Sequence, residues 1–268
     1  MSLTQCGEGT MTPEEICEKV QQNLSQVGFE SHAFKVGWYN DKVKPEFHLN
    51  YEYNTMVILV LSTPDMFDKA FKPYLLRTDC LGVRDPIDEC MAFHFKQMKE
   101  LEITKSHAMA GSIKDMITCF RDIEIESIHD FEMDHNRCPK ILVQTAGHVA
   151  GAAYYYQRSD VDPDPWSKEQ KIFGVSIHPK YGGWFAFRGV LIFKNIMYPD
   201  LVQKKPVDSV PSLELRKELL ERFNFHWQDW SFRDIFPVEK KYSEEQKEYF
   251  GTEPKNRAPL VDRMRKGI

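Results

Sequence analysis

Four arginines stand where a charge needs a partner. Arg188 lies inside the apolar run Trp184–Val190, and Arg233 lies in the aromatic stretch His226–Asp234. Arg158 ends the run Tyr154-Tyr155-Tyr156-Gln157, and Arg257 follows the last predicted helix. A guanidinium in such surroundings ordinarily meets a carboxylate or a phosphate. Internal salt bridges to Asp229, Asp234 or Glu221 would meet that need. A cluster of several arginines would instead suit a peptide carboxylate or a phosphate. The three tyrosines offer flat apolar faces with hydroxyls, which suits a planar ligand as well as a core segment with rim tyrosines. His148, among the small residues of Ala146–Gly151, could face such a ligand or be a hydrogen-bonded turn histidine.

Other chemistries find less support. No Ser-His-Asp order and no three-ligand metal pattern stands out. The six cysteines, Cys6, Cys17, Cys80, Cys90, Cys119 and Cys138, form no Cys-x-x-Cys pair, which argues against zinc and a redox dithiol. There is neither a Gly-x-Gly-x-x-Gly loop nor a Walker lysine motif.

The elements that must hold these residues read as follows. Residues 1–11 are expected to be disordered. Thr12, Pro13 and Glu15 cap a helix whose stripe is Ile16, Val20, Leu24 and Val27, stopped by Gly28. Strands are predicted at Ala33–Tyr39 and Thr55–Leu61, the second apolar throughout and hence buried on both faces. A short helix through Met66–Phe71 ends near Pro73, and a longer one runs from Pro86 to about Leu101. Thr104–Thr118 reads as a loop or loosely attached extension. Further strands are expected at Ile123–Phe131 and Lys140–Thr145. Ile172–Ile177 and Trp184–Phe193 read as a strand pair around the glycine-bearing turn His178–Gly183. Ser212–Phe223 is a helix with Leu215, Leu219 and Leu220 inward, and Ser243 with Gln246 caps another near Tyr249. One domain, 12–258, with a polar tail at 259–268, is the expected organisation, and the element order is α+β.

A chain of 268 residues that is 42% hydrophobic can build one large core. A net charge of -5 gives no reason to expect nucleic acid or an anionic membrane. No apolar run is long enough to span a bilayer, and MSLTQCGEGTMTPEE lacks a signal-peptide pattern, so the cytoplasm is the expected compartment.

Several long segments go further than any short motif. They include Ala33–Asn40, Val60–Pro64, Arg137–Leu142, His148–Arg158, Gly182–Phe185, Phe223–Trp227 and Tyr242–Lys247. Together they resemble the cobalamin-processing family defective in the cblC form of methylmalonic aciduria with homocystinuria, over roughly residues 13–258. The resemblance implies a flavin nitroreductase-like fold, with a central antiparallel sheet and flanking helices. It implies cobalamin bound with its benzimidazole tail off the cobalt. Asp130 and Ile141, Leu142, Val143 and Gln144 match positions near the corrinoid and its tail. His148, Tyr155, Tyr156 and Gln157 match positions against the corrin, and Ser176 and Phe187 two further contacts. Arg188, Arg233 and Arg257 match arginines that hold glutathione, with Tyr242 in the same region.

The implied activities are two, with no protein nucleophile in either. Glutathione takes the alkyl group of methyl- or adenosylcobalamin, and FAD or FMN, with NADP upstream, supplies electrons to expel cyanide from cyanocobalamin. The implied partners are a downstream cobalamin-trafficking adaptor and methionine synthase with its reductase, around a monomer or ligand-dependent homodimer. Two departures stand out. Ser176 replaces the cysteine of vertebrate relatives, so no thiol role carries over. Some B12 enzymes also place a histidine under cobalt through Asp-x-His-x-x-Gly, but here Ala146 stands where that aspartate belongs. Without a carboxylate on its other nitrogen, His148 is not expected to ligate cobalt. A non-catalytic cobalamin carrier and a flavin nitroreductase acting on small electrophiles remain the alternatives.

Overall fold

Strand β2 (Thr55–Ser62) is buried along its whole length, as its unbroken apolar sequence predicts. Met56, Ile58 and Val60 enter one core, while Val57, Leu59 and Leu61 enter another on the opposite face. The two-residue period of a strand thus feeds two layers at once. Ile58→Ala would cost about 2–5 kcal/mol by the usual scale for core truncations.

The computed structural model describes residues 11–77, 85–105 and 123–267, without the side chains of 99–105. Within them a four-stranded sheet runs β1 (Phe29–Lys35), β2, β6 (Ala186–Met197) and β3 (Ile125–His129), every pair antiparallel. Two further strands, β4 (Tyr154–Tyr156) and β5 (Val175–Ile177), form a separate antiparallel ribbon. Helix α1 (Pro13–Gln26) begins with the expected box: Glu15 N–H donates to Thr12 Oγ1 at 3.2 Å, and Thr12 N–H to the Glu15 carboxylate at 2.8 Å. Its Ile16, Val20 and Leu24 pack on the Met56 face, joined by Cys90, Met91 and Phe95 of α4 (Pro86–Lys105). The architecture is α+β, an antiparallel sheet with flanking helices. No described helix is long and apolar enough to cross a membrane.

Several expectations are corrected. Lys140–Thr145 is not a strand: α5 (Val143–Val149) occupies it, because Ala146, Val149 and Ala150 recur at helical spacing and pack on the Leu59 face. Ile172–Ile177 does not pair with Trp184–Phe193. Val190–Phe193 is apolar on both faces, which demands an interior position, so β6 lies between β2 and β3 while β5 pairs β4. The strand expected to Tyr39 stops at Lys35, and α2 (Val36–Asn40) follows, with Gly37 N–H bonded to the Tyr53 carbonyl at 2.9 Å. The helix expected to end near Pro73 continues as α3 (Lys72–Arg77). A π-helical turn, Phe67–Phe71, widens the spiral just before a proline that lacks the N–H of a regular turn.

Toward the C-terminus, α6 (Leu213–Phe225) buries Leu219 and Leu220 but leaves Leu215 38% exposed. At the start of α7 (Glu244–Gly251) only half the capping box forms: Ser243 Oγ accepts from Gln246 N–H, but the Gln246 side chain makes no return bond. The expected tail is instead α8 (Ala258–Lys266), with Leu260 and Val261 buried. Arg257 therefore precedes the last helix rather than following it. The disorder expected at 1–10 and the extension expected at 106–118 lie outside the described residues.

One irregularity positions the chemistry. Val60 pairs with Gly189 and Leu61 with Phe187, so Arg188 is an extra residue bulged out of β6. A bulge re-aims the side chain it carries. Gly189 makes it possible: its φ is +133°, and a Cβ there would stand 2.2 Å from the Ile128 carbonyl oxygen.

Candidate functional site

The bulge turns Arg188 into a cavity of about 800 Å³. Its wall draws Gln144 from α5, Tyr155 from β4, Phe173 and Gly174 from the chain before β5, and Trp227, Trp230 and Arg233 from the turns after α6. Tyr242 and Phe250 close it from the α7 side. Strand alternation decides which tyrosine faces the space. Tyr154 and Tyr156 share one face, their rings stacked at 4.4 Å, and Tyr155 takes the other. A Cβ on Gly174 would meet the Tyr155 ring at 2.5 Å, so that ring rests on bare backbone. Tyr155, Phe173 and Gly174 also line a neighbouring cavity of about 710 Å³, which Gln157 and Arg158 reach.

Tyr156 is not a wall residue. It is fully buried in a third apolar cluster, and its hydroxyl donates to Asp208 at 2.6 Å while accepting from Val210 N–H at 2.9 Å. Its phenol stays neutral, because burial and then Asp208 both push its pKa upward. Phe187 likewise turns away, alternating with Arg188, and packs edge-on to Phe185 at 5.1 Å.

The arginines separate into two kinds. Arg188, 6% exposed, donates from Nε to Ser62 Oγ at 2.9 Å. Arg233 donates to the Gly183 carbonyl, and its guanidinium carbon lies 5.1–5.5 Å from the rings of Trp184, Trp230, Phe232 and Tyr242. Its Nε is buried without a hydrogen bond. Burial lowers its pKa from the ordinary guanidinium range. Two cations and Tyr242 thus share one aromatic cavity. Arg257 does not line it: Nε donates to the Thr252 carbonyl at 2.9 Å, and Nη1 pairs with Asp85 at 3.3 Å. Arg158 is a structural clamp, bonded to Asp164 and to the carbonyls of Trp166, Ser167 and Gln170. For these two the internal-partner reading holds, although the carboxylates are not those named from sequence.

Of the remaining expected residues, only Gln144 lines the cavity itself. Ile141 is buried, Leu142 N–H donates to Tyr39 Oη at 3.0 Å, half-buried Val143 opens α5, and Gln144 Nε2 reaches the Gly174 carbonyl at 3.4 Å. The ring of His148 meets Tyr154 edge-on at 5.0 Å, and Nδ1 accepts from Tyr155 N–H at 3.1 Å. Burial lowers the His148 pKa, so the neutral ring carries its proton on Nε2. Ser176, directly across from Tyr155, has a buried hydroxyl without a hydrogen bond. Asp130, whose N–H donates to the Arg188 carbonyl at 3.3 Å, has a buried Oδ1 in the same condition. Burial raises the Asp130 pKa, and Arg188 offsets part of that. Orphaned polar atoms of this kind call for an outside partner. Phe173, Gly174 and Ser62 went unread, because only the ribbon and the bulge bring them here.

No cysteine lines this wall among the described residues. Cys17, whose thiol burial pushes up to about 11, lies beside another groove. No described group of three His, Cys, Asp or Glu could hold a metal ion. The aromatic wall and the two guanidinium groups can bind a flat apolar body and an anion beside it.

The model of the methylmalonic aciduria and homocystinuria type C family matches residues 28–109 and 102–261. A Gallus gallus protein named cyanocobalamin reductase / alkylcobalamin dealkylase is 50% identical, over 92% of this chain and 96% of that one. The Homo sapiens protein of the same name is 47% identical, over 92% and 81%. Among solved structures, the crystal structure of a C. elegans B12-trafficking protein CblC, described as a human MMACHC homologue, superposes with a TM-score of 0.78 at 36% identity, covering 94% of this chain and 96% of that one.

Proposed function

Since this chain belongs to the methylmalonic aciduria and homocystinuria type C family, we propose that it processes cobalamin, as a cyanocobalamin reductase and alkylcobalamin dealkylase. The observation that carries the reading is the pairing of Arg188 and Arg233 inside one aromatic cavity. The corrin lies against the aromatic wall, with Tyr155, Gln144 and Ser176 as its polar contacts, and its benzimidazole is off the cobalt. Glutathione brings two carboxylates and a thiol, and guanidinium groups match carboxylates with paired hydrogen bonds. Arg188, Arg233 and Tyr242 hold it, while Arg257 is engaged by Asp85 outside the cavity.

In dealkylation the glutathione sulfur loses its proton and attacks the carbon bonded to cobalt. The S–C bond forms, the Co–C bond breaks, and both of its electrons stay on cobalt, giving a thioether and cob(I)alamin. The protein's share is to hold sulfur and carbon in line, a term that can reach several powers of ten. It also keeps positive charge beside the thiolate. Losing the lower benzimidazole ligand favours the four-coordinate product.

Decyanation needs electrons instead of a thiolate. The cavity fits a flavin as well, with its aromatic rings for the planar part. A reduced FAD or FMN, itself reduced from NADPH, supplies electrons there when bound. A likeness to flavin nitroreductases belongs to the same reading, as do a cytoplasmic setting, hand-over to a trafficking adaptor and to methionine synthase with its reductase, and a monomer that pairs when loaded. A pure carrier would have no use for two buried guanidinium groups beside the corrin wall.

The test is spectroscopic. Saturating protein at neutral pH should shift the visible band of methylcobalamin toward the base-off form. An unchanged base-on spectrum would refute the tail-off arrangement.

A further inference from the structure

Arg233 is held by the loop His178–Gly183, and that loop is fastened to the far edge of the sheet. The fastening starts at His178, which is 2% exposed. Lys180 N–H donates to its Nδ1 at 3.1 Å, so the neutral ring carries its proton on Nε2. Nε2 faces Glu30 Oε2 of β1 at 3.2 Å. The ring stacks on Tyr181 at 4.7 Å and meets Phe185 at 5.5 Å. His32 Nε2 stands 3.5 Å from the same Glu30 oxygen. Burial opposes the Glu30 charge, yet the His178 bond, with His32 and Tyr181 beside it, holds its carboxyl well below the usual range.

The other end of the loop meets the site. His178 and Gly182 exchange backbone bonds of 2.8 and 2.9 Å, closing the loop on itself. Gly183 N–H then donates to the Arg233 carbonyl at 3.0 Å, and the Gly183 carbonyl accepts from the Arg233 guanidinium. A Cβ at Gly182 would stand 2.3 Å from the Arg233 carbonyl oxygen, so the two backbones touch there. Glu30 is therefore linked to the guanidinium through one buried imidazole and one hydrogen-bonded loop.

We propose that Glu30 and His178 are positioning residues for Arg233: the imidazole hydrogen-bonded to Glu30 fixes the loop whose Gly183 carbonyl sets the guanidinium's place, and thereby tunes capture of the thiol co-substrate's carboxylate. The inference rests on the reading of Arg233 as a carboxylate-binding group. Neither residue touches substrate. Loosening them frees the loop end, which spoils a paired hydrogen bond while leaving the aromatic wall in place.

The test uses the full chain with methylcobalamin and glutathione under anaerobic conditions, and reads KM for glutathione, kcat, thiol-free decyanation by reduced flavin, and thermal midpoint. Glu30→Ala and His178→Phe, the second keeping a ring for stacking but no donor, should raise KM about tenfold, with kcat and decyanation within about twofold. His178→Gln, which restores an N–H toward Glu30, should recover most of the loss. In an Arg233→Ala background, Glu30→Ala should add nothing, because its effect passes through Arg233. An unchanged KM in both single variants, or additive effects in the double variant, overturns the proposal. So does parallel loss of every activity with the thermal midpoint and no recovery in His178→Gln. If Arg233→Ala itself leaves KM unchanged, the reading of Arg233 fails first, and that outcome is distinguishable because it needs neither Glu30 nor His178.

Discussion

The backbone N–H of Tyr155 donates to Nδ1 of His148 at 3.1 Å. That bond leaves the neutral ring with hydrogen on Nε2, where a cobalt ligand would need a lone pair. Ala146, in place of an aspartate, agrees with it. His148 thus anchors the strand that carries Tyr155. His148→Ala should weaken corrinoid binding by about 1 kcal/mol, the worth of one hydrogen bond. Bound cob(II)alamin in the unaltered protein should show no nitrogen hyperfine coupling from His148, and detecting one would refute this role.

Gly174 gives a sharper steric test. Its missing Cβ is what lets the Tyr155 ring lie against the backbone between two cavities. Gly174→Ala should push that ring out of place and weaken corrinoid binding about tenfold, and because its Cβ would also stand 2.7 Å from the Tyr156 carbonyl oxygen the thermal midpoint should fall as well. Titration of aquacobalamin by absorbance measures it. Equal affinities would show that the ring does not shape the wall.

Asp88 predicts a pH dependence. Burial first, then the carboxylates of Asp85 and Asp130, push its pKa up to about 6, and Arg188 and Arg257 offset only part of that. The folded protein therefore holds this proton where the unfolded chain, near 3.8, has released it. Stability contributed by Asp88 is full below 3.8 and is lost as pH rises to about 6. Asp88→Asn cannot ionise, so it should flatten this part of the profile and be the more stable form at pH 7. Urea midpoints between pH 4 and 7 decide it, and parallel profiles would contradict it.

How much could be read beforehand varied with how local the cause was. The box Thr12–Glu15 and the doubly buried Thr55–Ser62 follow from spacing alone, and both formed. Val143–Val149 misled because β-branched residues hid a helical stripe that only the sheet beneath it selects. Arg188 was singled out as a charge in an apolar run, but the bulge that aims it depends on the register against β2 and on Gly189 meeting β3. The family resemblance implied one role for Arg257 and Arg188. They differ because Asp85 lies beside one and the aromatic cavity beside the other.

We propose that this cavity brings alkylcobalamin and glutathione together, with Arg188 and Arg233 as the thiol's holders. Anaerobic methylcobalamin and glutathione should give S-methylglutathione and the spectrum of cob(I)alamin with the unaltered protein. Arg188→Ala or Arg233→Ala should each remove a charge-assisted contact worth roughly 1.5–3 kcal/mol. Apparent glutathione affinity should then fall by about one to two powers of ten. Corrinoid binding and flavin-driven decyanation should largely survive. No thioether from the unaltered protein, or equal loss of all three properties in step with thermal stability, would contradict the account and return the two arginines to a structural role.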